Sequence, residues 1–203
     1  MGTFSRDFAL GAQGVEMARK LLFDTVGTAG VADVQADPYW GRCGVDLLWH
    51  RSDGRVIAVE VKYEARASAN VVLESISNDT RRSPGWWLTS HAHFILYGFA
   101  ETGGWFGLEL PGLRGVVRGD AWRGLRSVRA NTRGAYSTYC RLLPIREALG
   151  TGYAARLAGE VPPALYAKAP SIRPAPRGGW RPAPHSCDLR TCSTCGGAQR
   201  LAA

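Results

Sequence analysis

The chain has 203 residues, 45% of them hydrophobic and 21% charged, with a mean hydropathy of −0.14, which is enough for one ordinary domain with a real core plus an appendage. No stretch approaches the roughly 18 to 20 uninterrupted apolar residues that span a bilayer, and the opening Met1-Gly2-Thr3-Phe4-Ser5-Arg6-Asp7 lacks the apolar core of a secretory signal. No membrane partner and a cytoplasmic location are therefore the expectation.

Net charge is +8 and the pI about 9.6, which suits a polyanionic partner. The charge is unevenly placed. Residues 1–140 carry 16 cations and 14 acids, whereas residues 141–203 carry 9 and 3. Seven prolines between Pro162 and Pro184 favour extended, solvated chain there. The expected organisation is a folded domain over 1–150, a Pro-rich basic linker over 151–184 and a Cys/His-containing tail over 185–203. Cys43 and Cys140 stand alone and read as small core residues.

In chain order, Phe8, Leu10, Val15, Ala18, Leu21 and Leu22 recur near helical spacing, so a helix is expected over Phe4–Phe23 with Ser5 as its N-cap. Strands are expected at Val31–Gln35, Val45–His50 and Arg55–Tyr63. The last two are joined through Asp53-Gly54, a hairpin signal. Within the third strand Glu60 and Lys62 alternate with Val59, Val61 and Tyr63, which puts two charges side by side on one face. A helix is then expected over Ala65–Ser77, strands over Ala92–Phe99 and Trp105–Leu110, and a short helix over Leu113–Trp122. Weaker strands follow at Ser127–Asn131 and Thr138–Leu142. This order implies an α/β fold with a mixed central sheet and helices on both sides.

The hairpin brings Asp46 near Glu60 and Lys62. Two carboxylates within a few Å repel unless a cation lies between them, and Mg²⁺ needs only one or two carboxylates plus waters and a phosphate oxygen. Lys62 beside them can position or deprotonate an attacking water and offset charge on the reacting phosphate, so the trio suits metal-assisted phosphodiester hydrolysis. The competing reading makes Glu60 and Lys62 an ion pair on the exposed side of an amphipathic strand, with Asp46 a turn acid.

The pattern Gly44-Val45-Asp46, thirteen residues, Glu60-Val61-Lys62 resembles the PD-(D/E)xK nuclease superfamily, with Val45 at the place of the eponymous proline. The resemblance extends over about residues 8–110 and includes restriction-endonuclease-like and Holliday-junction-resolvase-like members of phage or prophage type. It implies an αβββαβ core and metal binding by Asp46 and Glu60, with Mg²⁺ or Mn²⁺ as cofactor. It also implies that Lys62 acts on the water, with a Glu from the first helix assisting, a role that Glu16 matches. The next helix would face substrate through Glu74, Ser75 and Asn78, followed by Arg81 and Arg82. Gly85-Trp86-Trp87-Leu88-Thr89-Ser90-His91-Ala92-His93-Phe94 is similar to a Gly-Trp and Ser-x-Ala-Asp run leading into the next strand of such phage proteins, with His93 in place of the Asp. Trp86 and Trp87 suit base stacking or, more simply, core packing, and His91 and His93 read as structural.

The implied activity is a Mg²⁺-dependent, Mn²⁺-tolerant endonuclease acting on DNA, branched or single-stranded forms included, with a homodimer as a candidate assembly. The alternatives are a non-catalytic nucleic-acid-binding module on the same fold and a nuclease acting on RNA. Arg114, Arg118, Arg123, Arg126, Arg129 and Arg133, with one acid among them, are candidates for a phosphate-binding groove. At the far end Cys192-x-x-Cys195-Gly196 has the form of a zinc knuckle, with His185 and Cys187 as the remaining Zn²⁺ ligands at an unusually tight spacing.

Overall fold

The structure, a computed structural model, describes residues 3–130 and 136–166. The expected zinc ligands, most of the linker and Arg133 lie outside the described residues. In chain order the elements are α1 (Thr3–Asp24), β1 (Thr28–Asp33), α2 (Pro38–Arg42), β2 (Leu47–Arg51), β3 (Val56–Glu64), β4 (Asn70–Asn78) and β5 (Ser83–Pro84). They continue with α3 (Trp86–Thr89), β6 (Phe94–Phe99), β7 (Gly104–Glu109), α4 (Leu110–Val116), α5 (Gly119–Gly124), β8 (Arg126–Ala130) and β9 (Thr138–Pro144). The last three are α6 (Ile145–Gly150), β10 (Ala154–Leu157) and α7 (Pro163–Tyr166). The helix expected near residues 113–122 is thus two short helices, and α1 begins before Ser5.

A mixed six-stranded sheet runs β1-β2-β3-β6-β7-β10, parallel between β3 and β6 and antiparallel elsewhere. Its two faces separate by strand alternation. Ile57, Val59, Val61, Phe94 and Leu96 pack beneath Val15, Ala18 and Leu22 of α1, whereas Ile95, Tyr97, Phe99, Phe106 and Leu108 face the other way. A Cβ on Gly14 would sit 2.4 Å from the Cβ of Tyr63, so only glycine lets α1 lie this close to β3.

The expected helix over Ala65–Ser77 is instead strand β4. Val71-Val72-Leu73 is poor helix sequence, and Val71 and Leu73 alternate into the core with Val72 between them. Strand β4 belongs to a second, antiparallel sheet of order β5-β4-β9-β8. This sheet, with α3, α4 and α6, covers the face opposite α1, so helices alone do not flank both sides. The Tyr97 hydroxyl ties the layers together: it accepts from the Val72 N–H at 3.2 Å and donates to Glu64 at 3.1 Å.

The packed unit also runs beyond the expected boundary at residue 150. Strand β10 pairs with β7, and Val161, Leu165 and Tyr166 lie in the α1-side core. The Tyr166 ring and Trp49 bracket the guanidinium of the buried Arg51, at 4.4 and 4.6 Å, and the Tyr166 hydroxyl accepts from Arg51 at 3.0 Å. Pro162 and Pro163 do not stop a chain whose next apolar residues have a core to enter. Tyr166→Ala should therefore cost about 3 kcal/mol, as aromatic truncations in cores do. Urea unfolding followed by tryptophan fluorescence measures this, and a midpoint equal to wild type would remove α7 from the folded unit.

Candidate active site

Strand β3 carries the charges in an unusual place. Its alternation sends Glu60 and Lys62 to the face opposite α1, yet that face is walled by the second sheet, so Glu60 is only 3% exposed. The Lys62 Nζ lies 2.5 Å from Glu60 Oε1, whereas Glu60 Oε2 is buried with no hydrogen-bond partner. An exposed strand-face ion pair is therefore not what forms here.

Asp46 reaches the pair from the residue just before β2. Its N–H donates to the Val59 carbonyl and its carbonyl accepts from Val34, both at 2.9 Å, which pins its backbone between β1 and β3. The carboxylate bends over β3 and accepts from the Val61 N–H at 2.7 Å. Trp40 of α2 packs with Val45, Ala58 and Ala92 in a small apolar cluster behind this corner. Asp37 sets α2 in place by accepting from the Tyr39 and Trp40 N–H groups.

Glu74 arrives from the second sheet. The Trp86 backbone N–H and the charge on Lys62 both act on its carboxylate. Gly85 makes the approach possible: a Cβ there would stand 2.3 Å from the Glu74 carbonyl oxygen. The Trp86 ring lies 5.5 Å from Lys62 Nζ, within cation–π range. Asp46, Glu60, Lys62 and Glu74 thus form one electrostatic unit drawn from β3, β4 and the start of β2.

The carboxyl pKa values of this unit all move upward, and burial is the largest cause in each. For Asp46 the Val61 N–H, Lys62 and Gln35 oppose it; for Glu60, Lys62 does. Burial works against the Lys62 ammonium, but Glu60, Asp46 and Glu74 outweigh it and its pKa is raised. Both members of the Glu60–Lys62 pair move up. Both groups are desolvated, and for Lys62 the direction is toward the ammonium because the surrounding carboxylates outweigh its burial.

The donor set fits a hard divalent ion. A buried carboxylate oxygen with no partner, next to a second carboxylate, lacks a counter-charge on that side, and Mg²⁺ completes its shell with waters and phosphate oxygens. Among the described residues no group of three or more His, Cys, Asp or Glu side chains is placed to hold an ion, so the protein would supply two carboxylates at most.

Other expected residues go elsewhere. Glu16 lies on exposed α1, bound to Arg19 at 2.9 and 3.0 Å, and α1 packs on the face of β3 away from Glu60 and Lys62. Ser75 donates its hydroxyl to the Tyr139 carbonyl, and Asn78 accepts from the Arg81 N–H, so both serve the second sheet and its turn. Arg81 and Arg82 are exposed beside that turn. Arg114 donates to the Trp86, Trp87 and Ser90 carbonyls and so anchors α3 rather than lining a phosphate groove. Arg123 pairs with Asp120, Arg129 reaches Asp79 at 3.8 Å, and Arg118 and Arg126 are exposed. Trp87 is core, stacked on Trp122 at 5.9 Å, and burial lowers the pKa of His93. Sequence reasoning missed Gln35 and Glu64 and gave Trp86 only as a stacking or core residue; Glu64 left a signal, since it continues the alternation Glu60, Lys62.

No protein-family model matches the chain, and no curated protein matches it. Among solved structures it is similar to a bacterial homing endonuclease, I-Ssp6803I, at 19% identity over 54% of this chain and 70% of that one, with a TM-score of 0.38.

The raised carboxyl pKa values make a stability prediction. A folded-state pKa above the unfolded value contributes stability that is present below the unfolded pKa and is lost as pH rises through the folded one. Without added metal, Asp46→Asn should therefore melt above wild type at pH 8, by a few degrees for about 1 kcal/mol in a domain of this size. The gap should close near pH 4. A melting temperature at pH 8 below wild type would show that the charge on Asp46 does not strain the fold.

Proposed function

We propose that this chain is a divalent-cation-dependent nuclease that hydrolyses phosphodiester bonds in DNA. The observation that carries the reading is the buried, unpartnered Glu60 Oε2 beside the Asp46 carboxylate, with protonated Lys62 on the same wall. Asp46 and Glu60 would hold Mg²⁺ or Mn²⁺, and when bound the ion would polarise the scissile phosphate. Lys62 acts as a donor: its ammonium orients the attacking water through the water's lone pair and offsets charge on the phosphate oxygens.

Nucleic acid is the polyanion that fits the net charge of +8, and the exposed Arg81, Arg82, Arg118 and Arg126 supply phosphate contacts without reading base sequence. Glu16 has no part in this arrangement.

Supercoiled plasmid, single-stranded DNA and branched DNA should be cut with Mg²⁺ or Mn²⁺ and spared with EDTA. Asp46→Asn, Glu60→Gln and Lys62→Ala should each lower the rate by about 100-fold or more, the usual cost of losing one preorganised charge in such a site. The nuclease reading fails if all three substrates survive both metals, or if Lys62→Ala cuts as fast as wild type. A matched RNA substrate cut faster than DNA would reassign the substrate class.

A further inference from the structure

Two groups of different kinds hold Lys62. Its Nζ meets Glu60 Oε1 at 2.5 Å, and it lies over the Trp86 ring, 5.5 Å from the centroid. The ion pair fixes only one contact of an ammonium that has three N–H donors and a flexible four-carbon stem. An indole face attracts such a charge through its ring quadrupole out to about 6 Å, most strongly where water has been removed. Unlike another carboxylate, it has no oxygen for which a divalent ion would compete.

Trp86 is itself braced. It opens α3 directly after Gly85, whose N–H donates to the Ser75 carbonyl at 2.9 Å, and its own carbonyl accepts from Arg114 at 3.3 Å. Its ring meets that of Trp87 edge to face at 6.0 Å, and Trp87 stacks in turn on Trp122. A ring fixed in this way can limit the freedom of the long side chain above it. Resting on the nuclease reading above, we propose that Trp86 is a positioning residue whose ring face seats the Lys62 ammonium beside Glu60 Oε1. The lysine is then held ready for the attacking water and the phosphate, and Glu60 Oε2, which has no partner, is left to the cation. Trp86 itself touches neither the ion nor the reacting atoms.

Tryptophan carrying one, two or three ring fluorines, placed at position 86 of the full chain by nonsense suppression, withdraws negative charge from the ring face with little change in shape. With Mg²⁺ and supercoiled plasmid, kcat should fall stepwise by about tenfold over the series, within the range of a partly desolvated cation–π contact, while KM holds. Unchanged kcat overturns the proposal, and so does an effect confined to KM, which would make Trp86 a base-stacking contact. A second readout needs no activity. Lys62 is one of three lysines, with Lys20 and Lys168, so lysine labelled with carbon-13 at Cε gives three Cε–Hε resonances, and Lys62→Met assigns one of them. Without metal, the ring current of Trp86 should shift the Lys62 resonance upfield, and Trp86→Leu should abolish the shift. A Lys62 resonance coincident with the other two would overturn the contact. A wild-type chain that cuts no DNA sinks the nuclease reading and this role with it; a chain that cuts but shows no fluorination effect sinks the role alone.

Discussion

The buried contact between Glu60 and Lys62 on β3 is the constraint around which the rest is arranged. Two charges on alternate residues of one strand would cost little on an open face, where surface ion pairs contribute about 0 to 1 kcal/mol. Here the same pair is enclosed. Glu60 has lost its water, and the Lys62 ammonium recovers only one of its two oxygens. A fold selected for stability alone would replace such a pair with apolar residues, because desolvation often exceeds the Coulomb gain. Its presence, with Asp46 held against it by the Val61 N–H, is what the proposed cation-binding role of the site would account for.

Enclosure comes from the second sheet. With a helix after β3, the far face of the central sheet would be covered by one rod, and side chains along its length would point in several directions. Strand β4 is instead tied to the central sheet by Val72 to Tyr97 and thence to Glu64. That proximity brings Glu74 into the field of Lys62 and lets α3 place Trp86 beside both. Arg114 contributes by holding the α3 carbonyls, a structural use of a charge that composition alone would assign to phosphate binding.

The two faces of β3 divide the labour. The α1 side is apolar and closely packed, with Gly14 against Tyr63, Trp49 against Tyr166, and Arg51 buried between rings. This side anchors the strand. The opposite side can then carry charge, because register on β3 is already set by the hydrophobic set and a one-residue slip would exchange the two faces. Glu16 follows from the same division: a residue on α1 cannot reach a carboxylate pair that projects through the other face.

Local signals determined much of this protein. The helical spacing of Val15, Ala18 and Leu22, the Asp53-Gly54 turn and the alternation through Glu60 and Lys62 are short-range patterns, and each formed the element expected of it. They sufficed to set Asp46, Glu60 and Lys62 together, because a hairpin is a local structure. Tertiary structure decided what lay farther apart in the chain. Whether Asn70–Asn78 became helix or strand depended on pairing with β9, more than 60 residues on, and the position of Glu74 depended on that choice. The end of the folded unit was set by whether Leu157, Leu165 and Tyr166 found a core to enter, which proline density cannot reveal. Burial, and with it the protonation of Lys62 and the unpartnered oxygen of Glu60, belongs to the assembled layers alone, since desolvation is a property of surroundings that no local pattern contains.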